Sequence, residues 1–357
     1  MQSDSRVMIS TIQGVSILTV SRVFSAITYA SQKSSVNVTS SMLSFLFGFV
    51  VDLIIILPFL FLIKKHSTHS VIEFADKINP TLSKTLSVVF SFIFALVCAM
   101  NLASFTRFIS TEFLNTNAFP ILFLITIATV YCAFMGIEAL GRFSNLLLAV
   151  LILSVFTVFF LFLNEYKLSN FYSPFEDNVF EIMSEGIFRA SNTFEVVSVL
   201  FLAPVVKGRK KRGFLYFLLI SLLLIEMIIF SIGAVFGDYA NITDYTYYNL
   251  IQVSGVSKLR RIDSVYVAVW ILLGFVKCGY YLILSENLLF SVLKKANKTN
   301  SLTIVATISF LIAGAFLLKP NLLTYVHTPL KTFLIFAIIL IPSAILIFLK
   351  RRKRIET

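Results

Sequence analysis

The chain has 357 residues, 58% of them hydrophobic and only 13% charged, with 38 phenylalanines and a mean hydropathy of +0.90. That is more apolar surface than a water-exposed domain can hide, so the composition excludes a soluble globular protein and points to one that crosses a lipid bilayer many times. The net charge of +12 would suit a nucleic-acid binder, but the basic residues sit in short loops between apolar runs, so no nucleic acid is expected as a partner.

Apolar runs of about 18 or more residues mark spanning helices. In chain order they are read at 7–30, 38–63, 84–111, 117–137, 139–163, 183–206, 213–236, 263–292, 301–319 and 329–350. The expected fold class is therefore an all-α membrane protein of about ten transmembrane helices, forming a single integral membrane domain, 1–357. No cleavable leader is expected at the start. Lys64 and Lys65 follow the second span, and Arg142 lies at the fourth-to-fifth junction. "KGRKKR" (207–212), "KKANK" (294–298) and "KRRKR" (350–354) follow the sixth, eighth and last. All fall on one side if both termini are cytoplasmic, and the opposite loops, such as "NEYKLSNFYSPFEDN", are acidic and aromatic. Lys258, Arg260 and Arg261 run against the pattern, in a longer loop that biases orientation less.

An even span count suits a transporter-like bundle of two inverted five-helix halves, here about 7–163 and 183–350, with a site built on broken helices. The first and sixth spans would be equivalent, and they are the most polar. The first holds Ser21 and Arg22. The sixth, "SEGIFRASNTFEVVSVLFLAP", holds Gly186, Arg189, Ser191, Asn192, Thr193 and Glu195. Such helices face protein or a cavity rather than lipid. Both are expected to unwind near the midplane, freed N–H groups holding a carboxylate and freed carbonyls an ammonium. Ser21, Ser191, Asn192 and Thr193 would add hydrogen bonds, and Tyr266 and Trp270 would wall the apolar side. For any single Ser or Thr, the plainer alternative is a hydroxyl bonded within its own helix. Arg22 has two readings: it pairs internally with an acid such as Glu195, or it meets an anionic group on the ligand.

Two further stretches combine charge with apolar surroundings. In "GIEALGR" (136–142), Glu138 and Arg142 stand at i,i+4, either as a staple at a membrane interface or as a gate contact. In "RRIDSVYVAVWILLGF" (260–275), Arg261 and Asp263 open the eighth span and the only tryptophan, Trp270, follows. Glu226, Glu286 and Lys277 are lone charges in spans, either interhelical partners or ion-coupling groups. Cys98, Cys132 and Cys278 are isolated; of the three histidines, His66 and His69 in "HSTH" have no evident third ligand, and His327 is far away in the sequence. GxSxG, HExxH and P-loop patterns are missing. No metal, cofactor or enzymatic activity is expected.

"GIEALGRFSNLL" resembles the GIE-x-x-x-R element of the endospore germination permeases, the GerAB-type B subunits of germinant receptors. "RRIDSVYVAVWILLGF" is similar to their R-x-D-x-x-x-x-x-x-W element, at the expected distance downstream. Length, span count, the basic sixth-to-seventh loop and "SVIEFADKINPTLSKTL" (70–86) extend the resemblance over the chain. It implies the amino acid–polyamine–organocation superfamily and a LeuT-like 5+5 inverted repeat with discontinuous first and sixth helices. It also implies the inner spore membrane, a receptor A subunit and a lipoprotein C subunit as partners, and a small-molecule germinant, often an amino acid, whose binding starts germination. The alternative is a secondary transporter of amino acids or related compounds. The chain departs from the family at "LTVSRVFSA", where Arg22 replaces a small, Gly-containing break.

Overall fold

The computed structural model describes residues 8–29, 36–65, 70–171, 177–191, 194–241, 245–254, 262–293, 297–322, 325 and 341. The chain is helical almost throughout. In order, the elements are β1 (Ile9–Ser10), α1 (Thr11–Tyr29), α2 (Val38–Lys65), α3 (Val71–Ile78), α4 (Pro80–Phe108), α5 (Ala118–Phe134) and α6 (Gly136–Leu161). They continue with α7 (Val179–Ser191), α8 (Phe194–Leu202), β2 (Val206–Lys207), α9 (Lys210–Phe236), α10 (Thr246–Ser254), α11 (Ile262–Val292) and α12 (Lys298–Leu318). Eight helical stretches among the described residues are long and apolar enough to cross a membrane, and the 17-residue α5 is a shorter apolar helix. The expected span at 329–350 lies outside the described residues, apart from Ile341.

Local chemistry sets the boundaries. Ser70 and Glu73 form a reciprocal capping box that starts α3. Asn79 then ends α3 in an extended conformation and caps α4 by accepting from the Thr81 N–H at 2.8 Å, with Pro80 at the first helical position. A second reciprocal pair starts α1: the Ser10 N–H donates to Gln13 Oε1 at 2.7 Å and the Gln13 N–H to Ser10 Oγ at 3.2 Å. Between α5 and α6 the chain turns at Gly136, whose φ of +85° suits glycine. The fourth-to-fifth junction is therefore this sharp turn, and Glu138 falls in the first turn of α6.

The spans sort into two groups. Helices α4, α5, α11 and α12 pack on one another; α1, α2, α7 with α8, and α9 form the other group. Helix α6 lies against both, through α1 and α9 on one side and α11 on the other. Within the first group, Ser91 and Ser285 exchange hydroxyl-to-carbonyl bonds of 2.8 and 2.7 Å between α4 and α11. In the second, α2 and α7 cross at glycines: a Cβ on Gly48 would lie 2.8 Å from the Gly186 carbonyl oxygen.

In the sixth span α7 ends at Ser191 and α8 starts at Phe194; the expected break of that helix falls on Asn192 and Thr193, which lie outside the described residues. The first span is not divided. Helix α1 runs unbroken from Thr11 to Tyr29, which corrects the expectation of a discontinuous first helix. The physical reason is visible in "SILTVSRVFS": between Ser16 and Ser25 there is no Gly or Pro to release the backbone. At the start of α1, Ile9 and Ser10 pair in parallel with Val206 and Lys207, and Thr11 Oγ1 donates to the Lys207 carbonyl at 2.7 Å. The beginning of the first span and the end of the sixth therefore share one end of the bundle.

Candidate functional site

A buried ion pair stands where the two groups meet. Lys277, in the middle of α11, donates to Glu195 Oε1 at 2.8 Å, and the two side chains are 1% and 0% exposed. Glu195 is the second residue of α8. Two more oxygens from α1 complete the surroundings of the ammonium: the Ser21 carbonyl at 3.2 Å and the Ser25 hydroxyl. A buried ion pair repays its desolvation only when its remaining donors are satisfied, and here all three ammonium protons have an oxygen. The second carboxylate oxygen of Glu195 and the Ser21 hydroxyl are buried with no hydrogen-bond partner among the described residues. They are the groups a small polar molecule could engage.

The same stripe of α11 makes two further bonds across the divide. Tyr280 meets Ser198 of α8 through their hydroxyls at 2.8 Å, and Trp270 Nε1 donates to Thr28 Oγ1 of α1 at 3.2 Å. Trp270 packs on Phe24 and Phe105, with ring centres 5.1 Å away in each case, and on Phe108 at 4.3 Å. Beside it a cavity of about 10 Å³ is lined by Ile27, Phe108, Tyr245, Tyr248, Tyr266 and Trp270. Tyr266 contacts Tyr247 edge to face at 5.2 Å. Along α11, Trp270 lies about two helical turns and Tyr266 about three from Lys277.

Arg22 pairs internally, with a different acid from the one named as its example. Its guanidinium donates to Asp52 Oδ2 of α2 at 2.7 Å, with side chains 11% and 1% exposed, while Glu195 belongs to Lys277. Neither Asp52 nor the involvement of Lys277 with Glu195 was assigned from sequence. Both stand out there as charges inside apolar runs, "FVVDLIII" and "FVKCGYY", but sequence does not say which span each one meets. Arg189 bonds Glu185 at 3.0 Å and Ser41 of α2 at 2.9 Å. Glu138 and Arg142 do meet, at 2.6 Å, but on an exposed surface, 48% and 72% exposed. The tight packing of that motif comes from Gly141, where a Cβ would lie 3.0 Å from Cβ of Gln13 on α1. Asn192, Thr193 and Arg261 lie outside the described residues, as do the side chains of Ser191 and Asp263.

Residues 8–320 match the family model described as "Spore germination protein". The chain belongs to that family. A spore germination name is also carried by YfkT of Bacillus subtilis (strain 168), 23% identical over 240 residues that span 64% of this chain and 66% of that protein. Two solved structures share the fold. One is a Na+-coupled sialic acid symporter in a substrate-bound outward-open state, with a TM-score of 0.64, 12% identity, and coverage of 94% of this chain and 79% of that one. The other is MHP1, a nucleobase-cation-symport-1 family transporter in a closed conformation with bromovinylhydantoin bound, with a TM-score of 0.59, 17% identity, and coverage of 93% and 78%. At those identities the likeness establishes the fold alone. This spore germination family member is a membrane protein with the LeuT-like transporter fold.

Proposed function

We propose that this chain is the B subunit of a spore germinant receptor, binding a small-molecule germinant, an amino acid or similar nutrient, and triggering germination with an A subunit and a lipoprotein C subunit. It works in the inner spore membrane with both termini cytoplasmic, as one membrane domain of two five-span repeats, about 7–163 and 183–350. The observation that carries this reading is the Lys277–Glu195 pair, which joins the first, sixth and eighth spans inside a transporter fold. A zwitterion can exchange with such a pair group for group: its carboxylate toward the Lys277 ammonium, its ammonium toward Glu195. Ser21, with Ser191, Asn192 and Thr193 of the sixth span, supplies hydrogen bonds. Tyr266 and Trp270 receive the apolar part. Binding shifts the bundle by no more than its differential affinity for the two states and passes that bias to the partners.

The test uses spores carrying Lys277→Met, Glu195→Gln or both, scored against a panel of amino acids and nucleosides, with subunit levels measured by blot. Each single change leaves one buried partner uncompensated and lowers the level. The double variant restores the level but not the response. A double variant that regains both shows the pair to be structural only. Purified chain in liposomes separates the transporter alternative: solute flux by this chain alone would establish transport.

A further inference from the structure

Glu226 lies in the middle of α9, and the site described above does not use it. Both of its carboxylate oxygens are sealed inside the protein, and neither has a hydrogen-bond partner among the described residues. Buried carboxylates are ordinarily paired or hydrogen-bonded, because an isolated charge in apolar surroundings is very costly. The cation within electrostatic reach is Arg189 on α7, and it is already engaged. Glu185 holds it at 3.0 Å, Ser41 bonds it, and the Phe45 ring lies 4.1 Å below it. The cluster therefore holds two acids and one base, one negative charge too many for the interior of a bilayer.

Other groups packed against α9 do not redress that count. Arg22 of α1 and Asp52 of α2 bind each other, with Arg22 over the Phe217 ring, nine residues and about 13 Å along the axis from Glu226. Glu138 and Arg142 bind each other at the start of α6. Among the described residues, the remaining titratable groups near α9 include Tyr166, bonded to Ser231, Lys167, whose backbone N–H bonds the Ala234 carbonyl about 12 Å along the axis from Glu226, Asp238 and Tyr239 in the turn after α9, and Tyr247 and Tyr248 on α10. A cleft of about 30 Å³ lined by Ser41, Phe45, Arg189, Ile229 and Thr246, among others, adjoins the cluster. That is room for about one water molecule. Ile229 is three residues from Glu226, on the same face of α9.

We propose that Glu226 is a proton-binding site, exchanging its proton through the Arg189 cleft, separate from the Lys277–Glu195 pair and independent of the germinant reading. Arg189 sits in the last turn of α7, within the sixth span. A shift of α7 toward α9 brings the guanidinium to the carboxylate and releases the proton to water; the reverse shift takes it back. The proton state of Glu226 thereby reports the position of α7.

Dicyclohexylcarbodiimide tests this on the purified full-length protein. The reagent attacks protonated carboxyls in apolar surroundings: the acid proton moves to a carbodiimide nitrogen, the carboxylate oxygen joins the central carbon, and the acyl group then migrates to nitrogen. Nothing is lost, so the peptide gains the mass of one carbodiimide. Digestion and mass spectrometry after labelling between pH 6 and 9 should place an adduct on Glu226 whose yield falls several-fold as the pH rises. Glu226→Gln should remove that adduct and leave any at Glu286. Arg189→Gln should sustain Glu226 labelling to higher pH; if that variant does not fold, the pH series on the unmodified chain still decides. No adduct on Glu226 at any pH, or a yield indifferent to pH, overturns the proposal. Suppression by Na+ or K+ at fixed pH also overturns it, in favour of a bound metal ion.

Discussion

Arg22 and Asp52 show how much a single buried charge depends on its partner. Their contact is 2.7 Å and almost free of solvent, so removing one member strands the other in an apolar interior, at a cost of about 3–5 kcal/mol. Arg22→Met is expected to lower the melting temperature in detergent sharply, and Arg22→Met with Asp52→Leu to recover most of it. Equal melting of all three proteins would show that the pair does not support the fold. The Glu138–Arg142 pair is the opposite case. An exposed i,i+4 pair contributes about 0.3–0.5 kcal/mol, so Glu138→Ala should barely move the melting temperature. Gly136→Ala, at φ +85°, should cost about 1–2 kcal/mol. A larger loss from Glu138→Ala than from Gly136→Ala would return the motif's weight to its charges. From sequence, the charges of "GIEALGR" draw the eye and its glycines do not, because the value of a glycine lies in a backbone angle and in a neighbour contributed by a distant helix.

At the level of elements, the crossing of α2 and α7 is set by two glycines that face each other. A Cβ on Gly186 would stand 2.7 Å from both a Phe47 ring carbon and the Ser44 carbonyl oxygen, closer than packed atoms can come. Gly186→Val must push α7 away from α2, displacing Arg189 from Ser41, and should abolish a monodisperse peak in size-exclusion chromatography. A normal peak would mean that the crossing can relax. Local signals for elements were legible: S-x-x-E at 70–73 and Asn-Pro at 79–80 each have a short-range cause. The unbroken first span was not, because the expectation of a break came from the span count, the polarity of that span and the resemblance, whereas "SILTVSRVFS" itself contains no Gly or Pro. Nor were the charge partners, since Arg22 and Asp52 are 30 positions apart and Glu195 and Lys277 are 82 apart. Hydropathy locates such residues within spans but carries no information about which spans cross.

Across the whole molecule, two helical groups are joined by bonds from one stripe of α11, and at one end the strands β1 and β2 tie the first span to the sixth. If a ligand acts by rearranging these spans, that short ladder has to open. Ile9 and Val206 are directly paired and both buried, a placement suited to a disulfide. Spores carrying Ile9→Cys and Val206→Cys, oxidised before exposure to germinant, should fail to respond and recover after reduction; an undiminished response in the cross-linked state would show that this end stays shut. The Lys277–Glu195 pair has a consequence of another kind. Both charges are tethered to the protein and sum to zero, so moving the intact pair carries no net charge through the bilayer. A single unpaired charge crossing the full field would add about 2.3 kcal/mol for every 100 mV. A switch that moves this pair as a unit would respond alike in an energised membrane and in one that holds no voltage.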